Sequence, residues 1–158
     1  MLMHEFWVQL EYLPLAEWIG ATWWFPLLNS LHVLSVTGML GALLMLDLRV
    51  IGVAARSYSL AVIRQDFVPW VWATFVLAVI TGLGMFITRA SAHVLNVAFQ
   101  WKMVLLALAG VNLWILHRRI SRQDLGETLP AGLRLTGLAS LLLWAGVMLG
   151  GRWMGHIP

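Results

Sequence analysis

Residues 18–46, WIGATWWFPLLNSLHVLSVTGMLGALLML, run for 29 positions between Glu17 and Asp47 without a formal charge. A helix of about 20 apolar residues crosses a bilayer core of roughly 30 Å, so this stretch is long enough to span. Farther along, residues 67–88 hold 22 uncharged positions, 103–117 hold 15 and 135–151 hold 17. The last two reach spanning length when Lys102, Arg134 and Arg152 extend their charges to the headgroups. The sequence thus predicts an all-α integral membrane four-helix bundle, a single transmembrane domain over residues 1–158, with spans at about 23–46, 68–88, 99–117 and 133–151. Pro26 and Pro69 are expected in first turns, where a missing N–H costs little.

Composition excludes the competing classes. Of 158 residues, 61% are hydrophobic and only 11% charged, whereas a soluble domain carries roughly 25% charge. The absence of cysteine removes disulfides, thiolate metal sites and iron–sulfur clusters. A net charge of +3, with no basic run longer than Arg118-Arg119, offers no nucleic-acid footprint.

The basic residues give an orientation. With the amino terminus outside, Arg49, Arg56, Arg64, Arg118, Arg119, Arg122 and Arg134 fall on the cytoplasmic side, leaving Arg89, Lys102 and Arg152 outside. Seven against three follows the positive-inside rule. Both termini are therefore expected to be periplasmic in a bacterial inner (plasma) membrane. The first twenty residues carry Glu5, Glu11 and Glu17 but no Lys or Arg, unlike a signal peptide. Phe6, Leu10 and Leu13 suit a short N-terminal helix lying on the outer leaflet. Nine of the ten tryptophans fall near a predicted interface, as in an aromatic belt, and only Trp144 is placed near mid-membrane.

Small residues mark where helices are expected to touch: Gly38 and Ala42, Gly82 and Gly84, Ala107, Ala109 and Gly110, and the GxxxG of Gly146 and Gly150. Asn29, His32, Ser35 and Met39 share one face of the first span, and Thr74, Thr81 and Thr88 one face of the second. Polar stripes in hydrocarbon must face the bundle interior, and interhelical hydrogen bonds with Asn112 are the expected outcome. Asp47 is expected at the inner boundary, in an interfacial ion pair with Arg49.

His32 stands apart. It lies about nine residues, or roughly 14 Å, inside the first span, and an ionisable group at that depth points to a functional site. One reading is a neutral imidazole bonded to a Thr or Asn neighbour. The other is an axial ligand of haem b, as in four-helix membrane cytochromes. No histidine lies at matching depth on another span, since His117 is placed roughly 13 Å lower. Either His32 is the sole strong ligand, or a partner such as His93 dips in from the 89–98 loop. Arg89, Lys102 and Arg152 would suit haem propionates at the outer surface, while His117 is equally an interfacial basic residue. A different constellation joins Met3, His4, Met154 and His156 on the outer face. Thioether plus imidazole is a ligand set that selects copper.

LNSLHVLSVTGMLGALLMLDLRVIG, through His32, Gly38, Gly41 and Arg49, resembles the first helix of a loose group of bacterial four-helix membrane proteins. The group includes CopD-type copper-resistance proteins, HemJ-type protoporphyrinogen oxidases and uncharacterised families. FQWKMVLLALAGVNLWILHRR is similar to the group's third helix, through Trp101 and Lys102. The resemblance implies haem binding or copper handling, with a functional His and Lys at His32 and Lys102. The chain departs from the HemJ-type proteins in ending GGRWMGHIP, without their acidic pattern. Three functions follow as expectations. The first is a haem-b redox protein, a candidate membrane oxidoreductase exchanging electrons with quinol or a periplasmic carrier. The others are a copper-handling protein and an accessory or scaffold subunit of a membrane complex, homo-oligomeric or mixed.

Overall fold

The computed structural model describes residues 2–54, 57, 59–122 and 129–154. Among these, seven α-helices follow one another: α1 (Leu2–Glu11), α2 (Pro14–Ala21), α3 (Trp24–Ile51), α4 (Leu60–Phe86), α5 (Ala90–Leu95), α6 (Val97–Arg122) and α7 (Ala131–Trp153). One 3-10 turn, Ile87–Arg89, joins α4 to α5. The four long helices are apolar and long enough to cross a membrane, making this a multi-pass membrane protein by length and composition.

The spans outrun the uncharged stretches from which they were read. α3 continues through Asp47 and Arg49 to Gly52, whose φ of 89° closes the helix with its N–H on the carbonyls of Leu48 and Arg49. α4 begins eight residues earlier than expected, because Ser59 caps it by accepting from the Val62 N–H. Pro69 therefore sits inside the helix rather than in its first turn. Charge marks where hydrocarbon ends, but the hydrogen-bond ladder runs on into water. The N-terminal segment also differs from the single helix expected. Pro14 cannot continue α1, so a second short helix, α2, starts there.

The long helices pack in the order α4, α3, α7, α6, each antiparallel to its neighbour, while the backbones of α4 and α6 stay apart and meet through side chains at either end. The gap between α4 and α6 is an apolar groove of about 500 Å³ lined by Phe75, Met103, Leu106, Ala107, Gly110, Val111 and Trp114. Glycines set the seams, because lipid supplies no hydrophobic drive between helices and close approach must replace it. Gly38 admits Trp70 and Thr74 between α3 and α4, and Gly84 admits Leu28. Gly137 lies against Val50 and Ile51 between α3 and α7. Gly146 and Gly150 receive Leu105 and Lys102, so the GxxxG pair of α7 serves the seam with α6.

Two buried clusters fill the interior. One gathers Leu46, Val50, Ile63, Leu116, Ile120 and Leu133 near the arginine-rich end. The other gathers Met39, Leu43, Val71, Leu113, Trp144 and Val147 at mid-bundle. Trp144 is the one buried tryptophan; Trp18, Trp23, Trp70, Trp101, Trp114 and Trp153 are exposed, as an aromatic belt requires. The polar stripes behave differently from the expectation. Asn29 is exposed. Ser35 and Thr74 return their hydroxyls to the carbonyls of Leu31 and Trp70 in their own helices, at 2.6 and 2.7 Å. Of these polar residues, Asn112 does cross between long helices as expected, donating to the Thr136 carbonyl at 3.1 Å, and so does Thr81 in the His32 contact below.

A Cβ at position 137 would stand 3.2 Å from both Val50 and Ile51 and 3.4 Å from the Asp47 carbonyl oxygen, while one at Gly41 meets nothing within 4 Å. Gly137→Val is therefore expected to destabilise the bundle by about 1–3 kcal/mol, and Gly41→Ala to leave it unchanged or slightly more stable. Thermal unfolding of the detergent-solubilised protein, followed by circular dichroism, checks both; equal effects would contradict the α3–α7 seam.

Candidate functional site

His32 is half-buried on α3 and turned toward α4. Its Nδ1 lies 2.9 Å from the Ala78 carbonyl oxygen and 3.1 Å from Thr81 Oγ1. A carbonyl can only accept, so Nδ1 carries the proton. The Thr81 hydroxyl spends its own proton on the Leu77 carbonyl at 2.7 Å, which leaves its lone pairs for the imidazole. A neutral ring held this way has its free lone pair on Nε2, and a bond from the other ring nitrogen to a carbonyl is how metal-binding histidines are commonly oriented. Gly82 makes the slot: a Cβ there would stand 3.1 Å from His32 Cε1. The Thr81-Gly82 pair thus supplies an anchoring oxygen and the space beside it, a role for Gly82 beyond the helix packing that its sequence predicts.

Above this slot, α5 folds across the end of the bundle. Asn96 stops α5 and starts α6, its Oδ1 accepting from the Phe99 N–H at 3.1 Å while Nδ2 donates to the Met154 carbonyl at 3.2 Å. The result is a three-ring stack of Phe86, His93 and Phe99, with centroids 5.5–6.2 Å apart. Glu11 ties α1 to this cap by accepting from the Ser91 N–H at 2.7 Å, and Trp7 packs edge-on against Phe86 at 5.9 Å. His32 contacts α4 at Gly82 and His93 stacks at Phe86, so the two imidazoles attach about one helical turn, or roughly 6 Å, apart along that helix.

Lys102 completes the group. Its stem lies in a trough made by Gly150 and Gly151 of α7, where a Cβ at Gly151 would stand 3.5 Å from Nζ. From there its ammonium acts electrostatically on both His32 and His93, and Arg89 and Glu11 also act on His93. Arg89 is exposed at the rim. The fold therefore brings His32, His93, Lys102 and Arg89 to one end.

Residues 7–157 match a family described as a family of unknown function, DUF6644. The chain belongs to this family. No curated protein and no solved structure matches it. For this DUF6644 chain, any functional reading rests on its own residues.

Of the remaining candidates of the DUF6644 chain, Arg152 is at this same end, exposed on α7 next to the Gly151 that lies against Lys102. His117 sits in the arginine-rich half, its Nδ1 accepting from the Trp72 indole at 3.2 Å, beside Arg118 stacked 4.1 Å over Trp114. It does not share a site with His32. His4 is exposed on α1 and Met154 is half-buried, while His156 and the Met3 side chain fall outside the described residues. Among the described residues, no group of three His, Cys, Asp or Glu side chains could hold a metal ion.

Asp47 corrects a further expectation. Instead of pairing with Arg49 at an interface, it is fully buried, with no hydrogen bond to either carboxyl oxygen. The helix continues past it and turns it toward α7, where Ser140 faces it.

Gly82→Val is expected to displace the imidazole from its slot. The measurement is the His32 ring signal in NMR of selectively labelled protein: the wild-type shift pattern of an Nδ1–H tautomer gives way to that of a mobile ring, and Thr81→Val produces a smaller change in the same direction. An unaltered signal in Gly82→Val would contradict the slot.

Proposed function

We propose that this protein is a haem-b-binding electron-transfer protein of a bacterial inner membrane, in which His32 would hold the haem iron through Nε2. The observation that carries the reading is the Nδ1 hydrogen bond of His32 to the Ala78 carbonyl, which leaves the Nε2 lone pair free to coordinate. The surroundings suit the same group. Phe86 and Phe99 stack on His93 and give it an apolar surround, and Lys102 and Arg89 are cations at this end of the bundle, suited to carboxylate substituents. His93, expected in the outer 89–98 loop and carried there by α5, would be the second imidazole.

Haem b supplies reversible one-electron chemistry when bound. The chain's own residues fix the tautomer of His32, stack His93, hold a positive charge near both and cover the end of the bundle with α1 and α5. The seven-to-three distribution of basic residues favours both termini, and hence this site, on the periplasmic side. Quinol from the bilayer or a periplasmic carrier is then the electron donor class. The His32 and Lys102 positions are also those through which the chain resembles the HemJ-type group.

A second reading, an accessory subunit of a membrane complex, is favoured by the apolar groove that α4 and α6 leave open. Of the copper candidates, His4 is exposed and Met154 half-buried, and among the described residues no contact between them adds to that reading.

Protein purified after haem-replete expression is expected to show a Soret band. His32→Ala should abolish it, His93→Ala should shift it or weaken it, and His117→Ala should leave it intact. Lys102→Gln should lower haem retention without removing the band. Colourless wild-type protein, or loss of colour in His117→Ala alone, would overturn the haem reading; colourless protein that co-purifies with a membrane partner would put the accessory reading in its place.

A further inference from the structure

The seam between α3 and α7 contains polar atoms that neither the packing nor the histidine site uses. Among the described residues, the buried side-chain atoms without a hydrogen-bond partner are both oxygens of Asp47, Oγ of Ser140 and Nε1 of Trp144. Asp47 and Ser140 belong to this seam, and Trp144 lies beside it in the cluster that contains Met39 and Leu43 of α3. Ser140 and Trp144 are one turn apart on the same face of α7. Asp47 faces that surface from α3 and is 0% exposed, as is Ser140. The adjacent Gly137 brings the two backbones together, its missing Cβ leaving 3.4 Å to the Asp47 carbonyl oxygen.

An ionised carboxylate buried in such a place, with neither carboxyl oxygen hydrogen-bonded and no cation bonded to it, is costly. Intramembrane carboxylates accordingly mark ion or proton sites. The surrounding charges do not neutralise it through hydrogen bonds. Arg49 on α3 and Arg64 on α4 are half-buried, and Asp66 on α4 and Arg134 on α7 are exposed. On α6, Arg119 donates to the Gly132 carbonyl at 3.3 Å, and His117 is bonded to Trp72. No hydrogen bond reaches Asp47 from any of them.

We infer that Asp47, together with Ser140, forms an internal proton-binding site in the α3–α7 seam. A metal cation is the poorer occupant. The side chains offer three oxygens, fewer than the six to eight that Ca²⁺ takes or the six of Mg²⁺, and the Trp144 N–H is a donor that repels a cation. A proton needs one carboxyl oxygen and one acceptor, and the Ser140 hydroxyl provides the acceptor. The site lies near the arginine-rich end, about five residues or roughly 7 Å along α3 from Gly52. The distance from His32 is about 22 Å along the same helix. It is thus separate from the histidine site and stands whether or not haem binds there.

Infrared spectroscopy of the purified full-length protein in lipid nanodiscs tests the assignment. A C=O stretch of a protonated carboxyl group is expected in mildly acidic to neutral buffer, shifting on exchange into D₂O and disappearing reversibly as the buffer is made alkaline. Asp47→Asn should remove that band, and Ser140→Ala should move it. If Asp47→Asn fails to fold, the wild-type titration and the Ser140→Ala shift still decide. A band that never appears, one that survives alkaline buffer and deuterium exchange, or one abolished at constant pH by sodium would each overturn the proposal. Haem loss without any change in this band would affect only the histidine site.

Discussion

Close approach of helix backbones at glycine is the constraint on which this structure depends. Within lipid, apolar side chains gain nothing from leaving solvent for one another, so dispersion contact at short range has to hold the bundle. Each seam carries its own glycine: Gly38 and Gly84 between α3 and α4, Gly137 between α3 and α7, Gly146 and Gly150 between α6 and α7. Where no such pairing exists, between α4 and α6, the helices separate and leave a groove, although Gly110 lies in its wall. The same residue type therefore either joins two helices or lines the gap between them, according to what faces it.

The glycine contacts also place the polar groups. Gly82 gives up its side-chain volume to the His32 imidazole, and Gly150 and Gly151 give theirs to the stem of Lys102. A half-buried imidazole and a lysine are thereby held at one end of the bundle without an acidic partner on either long helix. At the other end, Gly137 draws α7 against the backbone of Asp47 and buries a carboxyl beside Ser140. The two ends differ in chemistry: the first collects imidazoles and cations under a cap of α1 and α5, the second buries an acid within an arginine-rich rim.

Much of the fold was legible in the sequence because hydrocarbon imposes a length and excludes charge. The four spans, the tryptophan belt and the interior Trp144 all follow from that. The helix ends were not legible from charge, since Arg64 and Asp66 can be helical once α4 emerges from the apolar layer. His32 was legible as an anomaly by its depth, and its bond to a threonine was one of two open readings. Its partner Thr81 lay within a recognised stripe, but the roles of Gly82 and the Ala78 carbonyl carried no sequence signal, because a slot and a backbone acceptor are properties of the facing helix. Asp47 was misplaced for a related reason. Its neighbour in sequence is Arg49, yet two residues along a helix point about 200° apart, so adjacency in the chain put the pair on different sides.

The sequence by itself determined the membrane class, the number of long helices and the unusual depth of one imidazole, because each depends only on spacing along a single helix. Only the tertiary structure decided that His93 and Lys102 join His32, that His117 does not, and that Asp47 turns inward to Ser140. Those placements depend on which faces of different helices meet, and that is set by the rotation of each helix about its axis, fixed in turn by where glycine allows its neighbour to come close.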